Sequence, residues 1–368
     1  MADVLSLRSL NRATLARQML LVREKAEEVS VAGAVERLCG MQAQEPKPPF
    51  LGLWTRLAGF EGAQLHAALQ ERSVVRATMM RGTLHLMSAP DYTALRASMQ
   101  PMLDAGLRML GARAEGLELD KVLPAARVLL EERPRTFNEL RALLQEEFPE
   151  VNDRALGFSV RMCLPLVMVP TDDRWGFART SEFTLADVWL GEPPSEDPSP
   201  DALVLRYLAA FGPASVADAQ EWSGLPKLGE VLERLRPRLR TFKDDKGRDL
   251  FDLPDAPRPD EDTPAPARFL PEFDNLVLAH ADRSRVIAAA HRPSLTTKNL
   301  RVRATFLWEG FAAGLWELER KRKVATLRLR PFEKLPKRAL KELTAEGERL
   351  LGFAEPDAAE RQVVLAEE

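Results

Sequence analysis

Twice along the chain, the hydrophobic pattern runs three amphipathic helices and then two short strands about a polar turn. The first round predicts helices over 120–132, 136–147 and 151–164, a strand over 166–169, a turn at Asp172-Asp173-Arg174 and a return through Trp175-Gly176-Phe177-Ala178. The second predicts helices over 201–211, 215–222 and 227–235, a strand over 238–242, a turn at Asp244-Asp245-Lys246-Gly247 and a return over 250–253. The apolar period switches from 3.6 to 2 at the same place in both rounds. The repeat is therefore one of architecture, not of copied sequence.

Helix, helix, helix, hairpin is the winged-helix arrangement, a module that serves DNA and protein partners alike. Two Pro- and acid-rich stretches, 191–200 and 254–266, read as linkers beside the second round. After the second linker, alternating stretches predict strands over 275–278, 284–289, 302–307, 314–318 and 324–329 and a charged helix over 337–351. Ahead of the repeats, Val31, Ala34, Val35 and Leu38 fall at i, i+3, i+4 and i+7, an amphipathic helix stopped by Gly40. The expected fold is α+β, mainly α: tandem winged-helix (helix-turn-helix) motifs followed by a C-terminal β-barrel-like domain. The domains are expected at 1–118, 119–192, 200–254 and 266–368.

With 368 residues, 45% apolar and 29% charged, the chain can bury a core without disulfides or metals, which excludes disordered, collagenous and coiled-coil readings. No charge-free apolar stretch approaches the ~20 residues a membrane helix needs, and the first residues lack a signal core, so a cytoplasmic location is expected. Cys39 and Cys163 each lie in apolar stretches and read as two reduced, buried thiols.

Fifty-two basic against 55 acidic residues leave a net charge of −3, which neither suggests nor forbids a polyanionic partner. The distribution is more telling. Residues 301–338 carry 11 basic and four acidic side chains, and 225–248 carry eight and four. In the second round the third helix and wing bring Arg234, Arg238 and Lys243, where a helix-turn-helix reader places phosphate and groove contacts. Solvated faces are the alternative reading of such runs.

The nucleotide-binding Gly-x-x-x-x-Gly-Lys-Ser/Thr and Gly-x-Gly-x-x-Gly motifs, the Gly-x-Ser-x-Gly elbow and His-Glu-x-x-His do not occur. Neither the cysteines nor His66, His85, His280 and His291 stand at metal-ligand spacing, so no metal, nucleotide or other cofactor is expected. What stands out is Gln42-Ala43-Gln44, directly after the helix stop and before Pro46, Pro48 and Pro49, which are expected to force an extended or turning path. In an extended segment residues i and i+2 point to one side, so the two carboxamides can share a target. Each offers an acceptor and a donor, so together they can orient a water but hardly deprotonate it. The alternative is that they cap the helix carbonyls and brace the proline turn.

Five further blocks accompany this motif: 10–18 (Leu-Asn-Arg-Ala-Thr-Leu-Ala-Arg-Gln), 50–56 (Phe-Leu-Gly-Leu-Trp-Thr-Arg), 75–86 (Val-Arg-Ala-Thr-Met-Met-Arg-Gly-Thr-Leu-His-Leu), 268–275 (Arg-Phe-Leu-Pro-Glu-Phe-Asp-Asn) and 280–285 (His-Ala-Asp-Arg-Ser-Arg). With these blocks in this order, nearly the whole chain resembles the winged-helix DNA-binding family of AlkZ- and YcaQ-like DNA glycosylases. The resemblance implies tandem winged helices forming a concave DNA-binding surface, a C-terminal β-domain, and excision of N7-alkylated purines with unhooking of interstrand crosslinks. It also implies an active-site pair, Gln-hydrophobic-Gln in the AlkZ-like branch, which Gln42-Ala43-Gln44 matches.

The expected activity is that of a monofunctional DNA glycosylase on double-stranded DNA, a monomer with Gln42 and Gln44 placing the hydrolytic water. No lysine stands out as a Schiff-base nucleophile. A non-catalytic winged-helix DNA-binding protein or transcription regulator is the alternative. Alternation over 78–86 puts Arg81, Thr83 and His85 on one strand face, where Arg81 and His85 can line the site. Arg12 on the first helix can clamp a phosphate, whereas Arg17 reads as solvated. The resemblance also implies a β-hairpin inserted beside the lesion, and the loop between strands 284–289 and 302–307, with His291, Arg292 and Lys298, is the candidate for it.

Overall fold

Six short strands from the first half of the chain share one sheet, in the order Met41–Gln42, Leu84–Ser88, Val74–Thr78, Leu166–Met168, Glu182–Leu185, Arg135–Thr136. Every neighbouring pair is antiparallel. The structure, a computed structural model, describes residues 3–366. Because Arg76 pairs with Met168 and Ala77 with Val167, the sheet runs across the boundary expected at 118–119. One core follows from this, with Leu53, Leu65 and Leu86 packed in the same cluster as Val122, Leu140 and Leu156.

The first round of helices lies at Leu119–Glu132, Phe137–Glu147 and Asp153–Cys163. Thr136 and Glu139 form a capping box at the start of the second, and Asn152 caps the third, which is why these helices begin where they do. The return strand is not at 175–178 but at Glu182–Leu185. Thr171 donates to the Gly176 carbonyl and Gly176 to the Asp173 carbonyl, so this segment closes on itself and its backbone is not free to join the ladder.

The second round gives helices Asp201–Phe211, Val216–Ser223 and Leu228–Leu235 and the hairpin Arg240–Asp244 with Asp249–Asp252. Leu228, Val231, Leu232 and Leu235 form the buried stripe of the last helix, each contributing about 1.5–3 kcal/mol. Val4–Leu5 joins this hairpin as a parallel strand.

Helix Leu7–Arg17 is not a solvated surface helix. Arg17 is buried against Asp252 with two hydrogen bonds, at 2.6 and 2.8 Å. Arg12, expected as a phosphate clamp, is buried as well: it donates to the carbonyls of Thr263 and Glu309 and so fastens the second linker. Burial lowers its pKa, with Arg8 adding to the effect. Local periodicity does not show this, since Asp252, Thr263 and Glu309 lie more than 230 residues away. The prolines after Gln44 also depart from expectation. Pro48 and Pro49 start a helix, Lys47–Trp54, because proline lacks an N–H that the first turn leaves unbonded in any case.

The C-terminal sheet orders Arg268–Leu270, Thr305–Trp308, Phe311–Lys321, Val324–Pro331 and Glu360–Leu365. It is open, not a closed barrel, as among the described residues its first and last strands do not pair. The last pairing is parallel, and helix Lys337–Ala354 makes the crossover and covers one face with Leu343, Leu350 and Leu351. The strands expected over 275–278 and 284–289 are short 3-10 turns, Asn275–Val277 and Arg283–Arg285. Asp274 and Asp282 cap them, and these local side-chain bonds win over strand pairing. Among the described residues no helix is long and apolar enough to cross a membrane. Cys39 is buried and Cys163 only half-buried, both as free thiols, and burial pushes Cys163 up to about 11.

Candidate active site

Helix Val31–Arg37, capped by the Ser30 hydroxyl on the Gly33 N–H, ends in two left-handed residues, Cys39 and Gly40. Gly40 is required there: a Cβ would come within 2.4 Å of the Met87 sulfur and 3.1 Å of the Leu86 carbonyl oxygen. This close turn delivers the chain into strand Met41–Gln42, where Met41 pairs with Leu86 and Gln42 with His85. Ala43 continues the contact, donating to the Leu84 carbonyl at 2.7 Å. From the other side Asn275 donates to the Gly40 carbonyl at 2.8 Å, so the C-terminal half clamps the turn.

The two glutamines occupy different surroundings. Gln42 is buried, and its carboxamide oxygen accepts from the Arg81 guanidinium at 2.9 Å. A guanidinium has only donors, so the oxygen must face it and the NH2 points elsewhere. Gln44 is exposed, and its oxygen lies 3.4 Å from the Leu84 N–H. Arg76 braces the main chain between them, donating to the Ala43 carbonyl at 2.8 Å and the Gln44 carbonyl at 3.1 Å. Its guanidinium stacks 4.7 Å over Phe177. Burial lowers both Arg76 and Arg81 to about 10, which leaves both charged at neutral pH.

Arg81 does not share a strand face with His85. It sits in the 3-10 turn Met80–Gly82 with φ of 55°, between strands Val74–Thr78 and Leu84–Ser88. From there it also donates to the Trp222 carbonyl, at the end of a helix of the second round. His85 is fully buried and cannot touch DNA. Its Nδ1 lies 3.1 Å from the Thr83 carbonyl, and its Nε2 has no hydrogen-bond partner among the described residues. Burial, with Arg81 adding to it, lowers its pKa to about 3, so it is a neutral ring packed behind Gln42.

Of the remaining predicted contacts, Arg234 is ion-paired with Asp201 and Lys243 with Asp249 at 2.8 Å, while Arg238 is exposed with no ion pair among the described residues. Exposed pairs of this kind are weak, and phosphates can compete for the cations. The candidate hairpin is smaller than expected. Residues 289–295 form a 3-10 stretch, and the turn proper is closed by a bridge between Thr296 and Val302. Lys298 and Leu300 are exposed at its tip, Leu300 by 80%. His291 stacks on Phe332 and contacts Glu333 at 3.0 Å, and Arg292 is exposed. At the base of the turn Arg301 pairs with Glu272 at 2.6 Å and reaches Glu45 at 3.5 Å, which ties the turn to the residue after Gln44.

One cation escaped the sequence reading. Arg161, on helix Asp153–Cys163, donates to the Thr78 hydroxyl at 3.2 Å beside Arg76 and has no carboxylate partner among the described residues. Its place on the third helix of the first round was the available signal.

Residues 35–353 match the sequence profile of a family described as DNA glycosylase AlkZ-like. A curated relative from Streptomyces sahachiroi, named interstrand DNA cross-link repair glycosylase, is 25% identical over 358 residues, spanning 90% of this chain and 93% of its own. The solved structure of the DNA glycosylase AlkZ from Streptomyces sahachiroi superposes with a TM-score of 0.80 at 22% identity, covering 98% of this chain and all of that one, and so shares the fold.

Proposed function

From the premise that the chain belongs to the AlkZ-like DNA glycosylase family, we propose that it hydrolyses the N-glycosidic bond of N7-alkylated purines in double-stranded DNA. Gln42 and Gln44 place the water, and interstrand crosslinks joined through N7 are among the substrates. The reading rests chiefly on one observation: a buried guanidinium holds the Gln42 oxygen at 2.9 Å beside an exposed Gln44. Gln42 thus presents N–H donors that fix a water or sugar oxygen, and the loosely held Gln44 oxygen accepts a hydrogen bond from the attacking water.

Neither amide is a base, and the substrate does not demand one. An N7-alkylated purine is already cationic and departs neutral, so no acid has to protonate the leaving group. The sugar acquires oxocarbenium character, which a placed water and carbonyl dipoles suffice to meet. The helix-and-hairpin units are read as winged helices, with Arg161, Arg238 and Lys298 as phosphate contacts. All the groups invoked come from one chain, so a monomer suffices.

The test is base release from a duplex with one N7-methylguanine, scored by alkaline cleavage at abasic sites. Wild type is expected to release the base, and Gln42→Ala, Gln44→Ala and the double variant to lose release while still binding the duplex. Tight binding without release from this or a crosslinked duplex would leave a non-catalytic DNA-binding protein.

A further inference from the structure

The structure holds a cleft of about 950 Å³ that begins at the residue after Gln44. Four parts of the chain wall it: Glu45–Pro48, the loop carrying Trp175 and Phe177, Glu272 with Arg301, and Trp316–Glu319 with Arg328 of the C-terminal sheet. Its size is that of sites for drug-sized ligands, far beyond what a methyl group fills. Phe177 lies under Arg76, which holds the Gln44 carbonyl, so the cleft and the glutamine segment are one rigid assembly.

The electrostatics narrow the occupant. Every cation on the wall already faces a carboxylate: Lys47 and Arg174 face Glu355, each at 3.7 Å, Arg301 faces Glu272 and Arg328 faces Glu319. Glu317 is exposed, with no cationic partner among the described residues. Five carboxylates against four cations line the cleft, so a DNA phosphate is disfavoured there and a neutral or cationic group is not. Trp316 is fixed by donating its indole N–H to the carbonyls of Leu270 and Thr305, which leaves a preset apolar wall. The neighbouring strand pairs only as far as Leu315, and Trp316 donates its main-chain N–H to the Ala304 carbonyl. By alternation the main-chain N–H and C=O of Leu318 face the same side, at a free sheet edge.

We propose that this cleft seats the substituent carried on N7 of the purine, and that it selects apolar or aromatic substituents that are neutral or cationic. The proposal rests on the glycosylase reading and specifies which N7 adducts that site takes.

The test compares kcat/KM for base release from three duplexes, each with one N7-methylguanine, N7-benzylguanine or N7-carboxymethylguanine. Leu318→Trp, which narrows the cleft with a bulky wall, is expected to lower the benzyl-to-methyl ratio by about tenfold or more. Glu317→Lys, on an exposed side chain that leaves folding intact, is expected to raise the carboxymethyl-to-benzyl ratio by about threefold. If all three bases are released and both ratios move by less than about twofold, the proposal is overturned, and the free edge at Leu318 is then a place for an added peptide strand. Should Leu318→Trp unfold the protein, the Glu317→Lys ratio alone decides. Wild type releasing none of the three bases overturns the glycosylase reading itself, a result distinct from unchanged ratios.

Discussion

Arg81 holds the carboxamide oxygen of Gln42 at 2.9 Å with one end of its guanidinium and the Trp222 carbonyl with the other. A single buried cation thus couples the orientation of the first glutamine to the docking of the second helical round. Removing it frees the amide to rotate and present its oxygen where the N–H belongs.

Arg81→Met is therefore expected to slow base release without abolishing duplex binding. A hydrogen bond to a charged group contributes about 1.5–3 kcal/mol, which corresponds to about ten- to a hundredfold in rate. The discriminating measurement is a double-mutant cycle with Gln42→Ala. If Arg81 acts through Gln42, the double variant is no slower than Gln42→Ala alone. Losses that multiply would show that Arg81 serves only the Trp222 contact.

The pH dependence separates the chemistry from the fold. The buried ionisable groups around the glutamine pair keep one charge state through neutral pH: His85, lowered to about 3, is neutral there, and Arg76 and Arg81, lowered to about 10, stay charged. The rate of base release in single turnover should be flat from about pH 6 to 9, unlike the bell of a general acid–base enzyme. Stability behaves otherwise. His85 and His280 both fall to about 3 through burial, below the usual value near 6.5. Between those values the unfolded chain binds more protons, so stability rises with pH across this window and is fully present above it. Tm should fall as pH drops from 7 to 5, less steeply in His85→Gln. A rate inflection near pH 6.5 would contradict the assignment of His85 as a neutral ring.

Much of this was legible locally. The helix stop at Gly40 fits the strand that carries Gln42, with Gln44 in the bend just after it, and the helices at 201–235 followed from the apolar period. What the pattern missed was long-range. Arg12, Arg17 and His85 look like surface or site residues because each is polar, yet each meets its partners or its burial across a fold closed by segments distant in sequence. Pro48 and Pro49 depart from the extended path expected of them for the opposite reason: their effect depends on whether they fall inside a helix or at its first turn. The one-face reading of Arg81 and His85 failed at a tight turn, where period-2 alternation ends.

The turn at 296–302 carries an exposed Leu300 beside Lys298, an apolar tip with a cation at its side, which is the composition of a wedge that enters a base step. Leu300→Gly is expected to reduce base release by about tenfold or more, from the few kcal/mol that unstacking costs, with little change in affinity for undamaged duplex. Lys298→Ala should do the reverse, weakening binding of every sequence and reducing the slope of log K against log salt by about one. Equal effects of both variants on both quantities would remove the distinction.

A clamp from the C-terminal half lies behind the glutamine pair. Arg56 and Asp274 are both buried and joined at 2.8 and 2.9 Å, and the next residue, Asn275, donates to the Gly40 carbonyl. Asp274 thereby fixes a loop of the C-terminal half against the turn that leads into Gln42. Breaking a buried pair by removing one partner costs about 3–5 kcal/mol, because the other charge stays buried and alone. Arg56→Ala is accordingly expected to lower Tm strongly. Asn275→Ala removes one neutral hydrogen bond, worth about 1 kcal/mol, yet it loosens the segment that carries both glutamines. It should lose more in kcat for base release than its small change in Tm explains, with duplex affinity retained. A loss in kcat no larger than that of an equally destabilising substitution elsewhere, such as Arg12→Ala scaled by Tm, would show that Asn275 supports the fold and not the placement of Gln42 and Gln44.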